Sequence, residues 1–263
     1  MKFFNIRYLN FDNINPCPMK KRPMNVIQLF IISVLFITLA NSCKKDNDNI
    51  KTVTDSDGNV YNTVTIGTQI WLKENLKTTK YDDNTLIPLV TESSAWDDLT
   101  TLAYCWYDND IDNKSTYGAL YNWYAVSRST NGDKNICPSG WHVPTDDEWK
   151  QLEITLGMSQ NDANNTGDRG TIEGGKLKEA GTTHWSDPNT GGTDESGFSA
   201  LPGGYRHSLG NFYVMGSNGS WWSSTEVEEC CAWGRDLAYN GSSIERYDYN
   251  KTAGFSVRCL KDK

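Results

Sequence analysis

Seven cysteines, three histidines and a short run of alternating aspartates are the residues of this chain best equipped for chemistry, and their spacing narrows what each can do. Cys43 has the most informative surroundings. A basic cluster (Lys20, Lys21, Arg22) and an apolar run over 26–40 precede it; Leu39, Ala40, Asn41 and Ser42 lead into it; Lys44, Lys45 and a polar stretch rich in Asp and Asn follow. A positive n-region, a short h-region, small residues and then a cysteine form the layout of a bacterial lipoprotein signal, in which the thiol accepts acyl chains. The run is too short to cross a bilayer comfortably, which takes about 20 apolar residues; an uncleaved signal anchor is the rival reading. His142, His184 and His207 are far apart and have no ligand-like spacing to Cys or to one another, so no metal site is expected. Asp108, Asp110 and Asp112 begin like a calcium loop. Asn113 then replaces the required glycine and Ala119 stands where a bidentate Glu belongs, so a solvated turn is expected, with an irregular calcium site left open. Cys230 and Cys231 are adjacent and could close only a strained ring. No nucleophile elbow, phosphate loop or distinctive carboxylate pair stands out, and no catalytic residue is assigned.

After Cys43, 20 basic residues stand against 32 acidic ones, a formal net charge of −12. A surface this acidic argues against nucleic acid and against peripheral binding to anionic lipid, both of which need basic patches. Residues 1–42 are therefore expected to be a signal peptide, with 1–18 as an upstream mis-start before Met19 or Met24. Residues 43–54 are expected to form a lipidated flexible tether, and 55–263 one domain. All ten tryptophans fall between Trp71 and Trp233, which marks that span as packed. Anchoring by acyl chains would hold the chain to a membrane, since each buried CH2 contributes about 0.8 kcal/mol.

The elements that must position any site follow from periodicity and turn chemistry. Asp57-Gly58-Asn59 is a turn; Val60, Val64 and Ile66 then share one face of a strand that returns through Gly67-Thr68-Gln69 into Ile70-Trp71-Leu72. Tyr117, Leu120, Tyr121 and Tyr124 recur at helical spacing and predict a helix over about 116–128. Thr145 and Glu148 form a capping box for a second helix, with Trp149, Leu152 and Leu156 as its apolar stripe and Gly157 at its end. Short strands are predicted over 198–201, 204–207, 212–215, 221–225, 232–239, 242–249 and 255–260, with Asn240-Gly241 as a hairpin turn. Two helices followed by a β-meander read as α+β.

These strings carry a resemblance. Gly118-Ala-Leu-Tyr-Asn-Trp-Tyr-Ala-Val126, Cys137-Pro-Ser-Gly-Trp-His-Val-Pro144, Gly197-Phe-Ser-Ala-Leu-Pro-Gly-Gly-Tyr-Arg206, Trp221-Trp-Ser-Ser-Thr225 and Gly254-Phe-Ser-Val-Arg-Cys259 resemble the Fibrobacter succinogenes major paralogous domain family, as does the stretch from Gly58 to Leu76. The resemblance covers about residues 55–261. It implies a C-type-lectin-like fold, two helices against small antiparallel sheets with long loops, distantly similar to the formylglycine-generating enzymes. It also implies a disulfide between Cys137 and Cys259, with both as buried thiols the alternative. It implies no established activity. The acidic, Asn-rich stretch after Cys43 resembles the export signal of Bacteroidetes-type surface lipoproteins, which implies lipid anchoring at the outer membrane and cell surface.

Neither a sugar-chelating tripeptide of the C-type lectins nor the specific cysteine pair of the formylglycine branch is evident; Asp187-Pro188-Asn189 is most simply a turn. No cofactor is expected. The ligand-binding candidates are Trp185, Asp187, Asn189, Arg206, Trp221 and Trp222. The segment 181–197 is rich in Gly, Thr, Asp and Asn, a poor core sequence. Trp221 and Trp222 point to opposite faces of a strand, so one indole could form a stacking platform with Arg206 supplying donors. The opposing reading packs every tryptophan and pairs Arg206 with an acid. The expectation is a non-enzymatic binding or adhesion module for extracellular carbohydrate or protein; a formylglycine-generating-like oxidoreductase and a purely structural surface protein are the alternatives.

Overall fold

The computed structural model describes residues 51–97 and 99–263; Cys43, the expected leader and the first part of the expected tether lie outside the described residues. The strands are Thr52–Thr54 (β1), Val60–Ile66 (β2), Gln69–Leu72 (β3), Tyr104–Cys105 (β4), Leu120–Tyr121 (β5), Trp141–His142 (β6), Gly167–Arg169 (β7), Tyr205–Arg206 (β8), Phe212–Tyr213 (β9), Asn218–Glu228 (β10), Cys231–Ala238 (β11), Ile244–Asn250 (β12) and Leu260–Lys261 (β13). The helices are Ser93–Asp97 (α1), Lys114–Tyr117 (α2), Trp123–Val126 (α3), Arg128–Asn131 (α4), Asp146–Thr155 (α5), Gln160–Asn164 (α6) and Glu173–Leu177 (α7). Strands pair antiparallel into a five-stranded sheet ordered β1-β2-β3-β13-β6, a four-stranded sheet ordered β10-β11-β12-β7, and the pairs β4-β5 and β8-β9. The class is α+β.

Local chemistry explains most of the framework. The turn at Gly67, whose φ is +61°, closes the β2-β3 hairpin with Ile66 opposite Gln69. The first sheet starts at Thr52, inside the stretch expected to be tether, because 52–54 pair with 60–62. On β2 the expected face is only partly inward: Ile66 is buried and Val60 exposed, while Tyr61 on the other face is fully buried. The capping box at Thr145 and Glu148 forms as expected and starts α5, which buries Trp149 and Leu152. Cys137 and Cys259 are joined, with Cα atoms 5.9 Å apart, and so tie the approach to β6 to the approach to β13, its neighbour in the sheet.

The predicted helix over 116–128 does not form. Gly118 adopts φ 76°, ψ −164° and breaks it, since a Cβ there would lie 2.7 Å from the Leu76 carbonyl oxygen. Ala119 then donates to Leu76 O and Tyr121 to Phe255 O, and a new helical turn starts only at α3, capped by Asn122. The aromatic spacing is helical, yet Leu120 and Tyr121 are buried as a strand: long-range pairing overrides the local period. The predicted strand over 198–201 is irregular, touching Lys178 through Ala200 alone. Over 255–260, Phe255 bridges Tyr121 while Ser256 bridges Trp221, so no continuous ladder develops before β13.

One face of the four-stranded sheet packs on α5 through a buried ion network. Glu153, 0% exposed, accepts from Arg235 Nε at 2.6 Å and from Arg169 Nη1 and Nη2 at 2.7 and 2.9 Å. Asp146 accepts from Arg246 Nε and Nη2, both at 2.8 Å, and lies 2.9 Å from Arg235 Nη1. Burial alone would raise the Asp146 carboxyl's pKa, but the hydrogen bonds from Arg246 and the charge of Arg235 outweigh it and hold it well below the usual carboxylate range. Breaking one partner of a buried pair strands the other's charge, typically costing about 3–5 kcal/mol. Glu153→Gln is therefore expected to destabilise the protein by about that much, read as a lowered denaturation midpoint; an unchanged midpoint would refute the network's role.

Candidate functional site

Five of the six residues singled out from sequence as a ligand surface are interior: Trp185, Asn189, Arg206, Trp221 and Trp222 are 0–5% exposed, and only Asp187 is on the surface. Each has a structural partner. Trp185 donates to Ala200 O at 2.9 Å, with the Lys178 ammonium over its ring. Asn189 Nδ2 binds the carbonyls of Glu179 and Gly181, folding the 181–197 segment against the body although its composition looked like an open loop. Among the described residues Arg206 pairs with no acid; it donates to Gly210 O, Val90 O and Thr91 O and stacks on Trp96. Trp221 and Trp222 do point to opposite faces, but both faces are covered. Trp221 donates to Asn75 Oδ1, and Trp222 stacks on Phe255 at 4.4 Å and donates to Tyr121 O. The structure thus overturns the proposed indole platform.

A different aromatic site lies on the sheet face opposite α5. β10, β11 and β12 pair so that Ser220 stands opposite Asp236, and Gly234 opposite Tyr247. Gly234 leaves room for a ring: a Cβ there would meet Tyr249 Cδ2 at 2.8 Å and Phe255 Cε2 at 3.3 Å. Tyr249 and Phe255 occupy that space, 4.9 Å apart and edge to face, and Tyr205 of β8 meets Phe255 at 5.8 Å. Together with His207, Val214, Asn218 and Asp236 they line a pocket of ≈ 400 Å³. This is within the usual range for small-ligand sites. Tyr249 Oη donates a hydrogen bond to Asp236 Oδ2, and Asp236 Oδ1 is buried with no hydrogen-bond partner among the described residues. Burial raises the Asp236 carboxyl's pKa, against the nearby Ser220 hydroxyl and the hydrogen bond from Tyr249. Burial and the neighbouring Asp236 likewise push the Tyr249 phenol up, so it stays a donor. Ring faces for stacking, and a carboxylate, an amide and hydroxyls for hydrogen bonds, suit a polyhydroxylated ligand.

The profile of the Fibrobacter succinogenes major domain matches residues 64–261. This chain belongs to that family. No curated protein and no solved structure matches it. The family match extends from the middle of β2 to the end of β13 and includes the aromatic pocket and the disulfide.

In this member of the family the histidines are dispersed, as sequence indicated. His184 Nδ1 meets Glu179 at 2.9 Å, and His207 Nδ1 accepts from Leu209 N at 3.1 Å beside the pocket. Cys105 is buried with its pKa pushed up to about 12 by burial, while Cys230 is exposed and Cys231 half-buried at the β10-β11 turn. Asp108 and Asp110 sit in short turns, with Asp110 Oδ1 accepting from Asp112 N. Among the described residues no group of three or more His, Cys, Asp and Glu side chains could hold a metal ion.

The pocket residues Tyr205, Asp236, Tyr249 and Phe255 were not singled out from sequence, and His207 was weighed only as a metal ligand. The available signal was the same-face alternation of Glu245, Tyr247 and Tyr249 on β12, but which face was open required the sheet's neighbours.

His142 lies at a second cleft of ≈ 530 Å³ that also includes Trp123, Arg128, Glu226 and Asp262. Its Nδ1 is 2.6 Å from Asp262 Oδ1 and its Nε2 3.0 Å from Glu148 Oε2. The hydrogen bond to Glu148 raises the imidazole's pKa, against burial and with help from Asp262. Burial raises the Glu148 pKa, but His142 and Thr145 outweigh it and lower it to about 2. The raised His142 pKa stabilises the fold fully below the unfolded value of about 6.5, and this is lost as pH rises through the folded value. The lowered Glu148 pKa contributes above 4.5 and is lost as pH falls towards about 2. The melting-temperature difference between wild type and His142→Gln should therefore be greatest between these limits and shrink above neutral pH. The stability difference behind it should stay below about 1 kcal/mol because both groups are partly solvated; a melting-temperature difference that grew with rising pH would contradict the arrangement.

Proposed function

We propose that this protein is a lipid-anchored, surface-facing binding module, non-enzymatic, that holds extracellular carbohydrate in the aromatic pocket. The pocket carries the reading: Tyr205, Tyr249 and Phe255 offer ring faces and edges beside Asn218, Ser220 and Asp236, the combination that fits a sugar's C–H face and hydroxyls. We read the α+β layout, with its long loops and terminal-sheet disulfide, as C-type-lectin-like. The oxidoreductase alternative is less well supported, because it needs a thiol pair in a cleft. Cys105 is enclosed, Cys230 and Cys231 lie at a hairpin end, and none of the three lines the pocket. A cell-surface location rests on the signal ending at Cys43 and the acidic stretch after it.

Two measurements test the reading. Probing a glycan array and an extracellular-protein array with the full chain should give saccharide binding. Tyr205→Ala should weaken it at least about tenfold, the loss of roughly 1.4 kcal/mol, while the melting temperature moves little. Absence of saccharide binding at high protein concentration, or full affinity in the variant, would overturn the sugar reading. For the anchor, Cys43→Ala should abolish acyl labelling and shift the protein out of the detergent phase; membrane retention without labelling would show that something other than an acyl chain holds it.

A further inference from the structure

We propose that the pocket selects saccharides carrying a protonated amine over neutral ones, with Asp236 as the residue that recognises the ammonium group. This rests on reading the pocket as a sugar site, and it comes from the charge pattern of the sheet beneath. Strand register places Ser220, Asp236, Glu245 and Asp168 in one row across β10, β11, β12 and β7. Three successive carboxylates directly opposite one another repel, an arrangement that destabilises a sheet unless a cation compensates it.

The pocket wall supplies no permanent cation: among the described residues its lining contains neither lysine nor arginine, and its one imidazole, His207, has Nδ1 accepting from Leu209 N. The nearest arginines in sequence, Arg235 and Arg246, occupy the opposite face, where they bind Asp146 and Glu153. The two faces differ in consequence: Asp146 on the α5 side is held below the usual carboxylate range by its arginines, whereas burial raises both Asp236 and Glu245, and their mutual repulsion adds to the rise at Glu245. Asp236 Oδ2 is engaged by Tyr249, and Oδ1 is buried with no hydrogen-bond donor among the described residues. Around this uncompensated charge stand the rings of Tyr205, Tyr249 and Phe255, whose electron-rich faces attract cations as well as sugar C–H groups. An ammonium group in the pocket would supply the missing donor and the missing positive charge together.

The test compares three oligosaccharides of equal length by calorimetry with the full chain: glucosamine oligomers, N-acetylglucosamine oligomers and glucose oligomers. Glucosamine oligomers should bind at least about tenfold more tightly than the other two, as expected for a charge-assisted hydrogen bond. The advantage should diminish with added salt. In Asp236→Asn, checked for an unchanged circular dichroism spectrum, the preference should collapse to within about threefold. Should that variant not fold, Glu245→Gln removes a neighbouring charge of the row and should lower the preference by at least about threefold. Equal or tighter binding of the neutral oligomers would overturn the amine selectivity and leave the carbohydrate reading intact. A preference that survives in folded Asp236→Asn, or is unaltered in Glu245→Gln when that substitutes for it, would overturn the role of this carboxylate row. Failure of all three oligomers to bind would remove the sugar reading itself and the selectivity with it.

Discussion

Glu153 and Asp146, enclosed with Arg169, Arg235 and Arg246, form the interaction on which the second half of the molecule depends. The two acids sit on α5, the three arginines on β7, β11 and β12, so one network fixes the longest described helix to three of four strands at once. A charge removed from water is tolerated only when its partners are in place, which makes this docking specific in a way an apolar contact is not. Trp149 beside the network and Trp221 and Leu237 from the sheet complete the seam with apolar area.

The same logic recurs wherever the chain is irregular. Little of the segment from Lys178 to Gly204 belongs to a ladder, so its backbone carbonyls need other donors. Lys178 Nζ serves one of them, at Thr190, and ties it to the carbonyls of Ala238 and Gly241 at the end of β11 and the turn after it; burial lowers its pKa to about 8. Arg206 serves three more across the hairpin β8-β9 and the 90–91 segment, and Arg258 links Phe198 O to Asn75. Long cationic side chains thus do for these loops what strand pairing does for the sheets. This is why residues that looked suited to holding a ligand are consumed in holding the protein together.

With α5 on one face, the other face of the four-stranded sheet is left to aromatic rings. Gly234 provides the vacancy that Tyr249 and Phe255 fill, and the short β8-β9 hairpin brings Tyr205 and His207 to the rim. The segregation is electrostatic as well as steric: arginines and their acids go to the α5 side, and Asp236 and Glu245 remain on the pocket side without a basic partner in the pocket wall.

Local patterns were enough for the α+β class, the α5 cap at Thr145 and Glu148, the Gly67 turn and the β10-β11-β12 meander, because each depends on residues a few positions apart. The family strings were long enough to identify the family and to imply the bond between Cys137 and Cys259. Local patterns failed where a partner far along the chain decided the outcome. Tyr117 to Tyr124 kept a helical period yet became a strand and a fresh helical turn, because the Leu76 and Phe255 carbonyls claimed Ala119 and Tyr121. Trp221 and Trp222 alternated as expected, but alternation says only that two side chains face opposite ways. Whether either meets water depends on what the tertiary structure lays over each face, and here it covers both indoles while leaving the pocket of Tyr205, Asp236 and Tyr249 open between the strands and the hairpin.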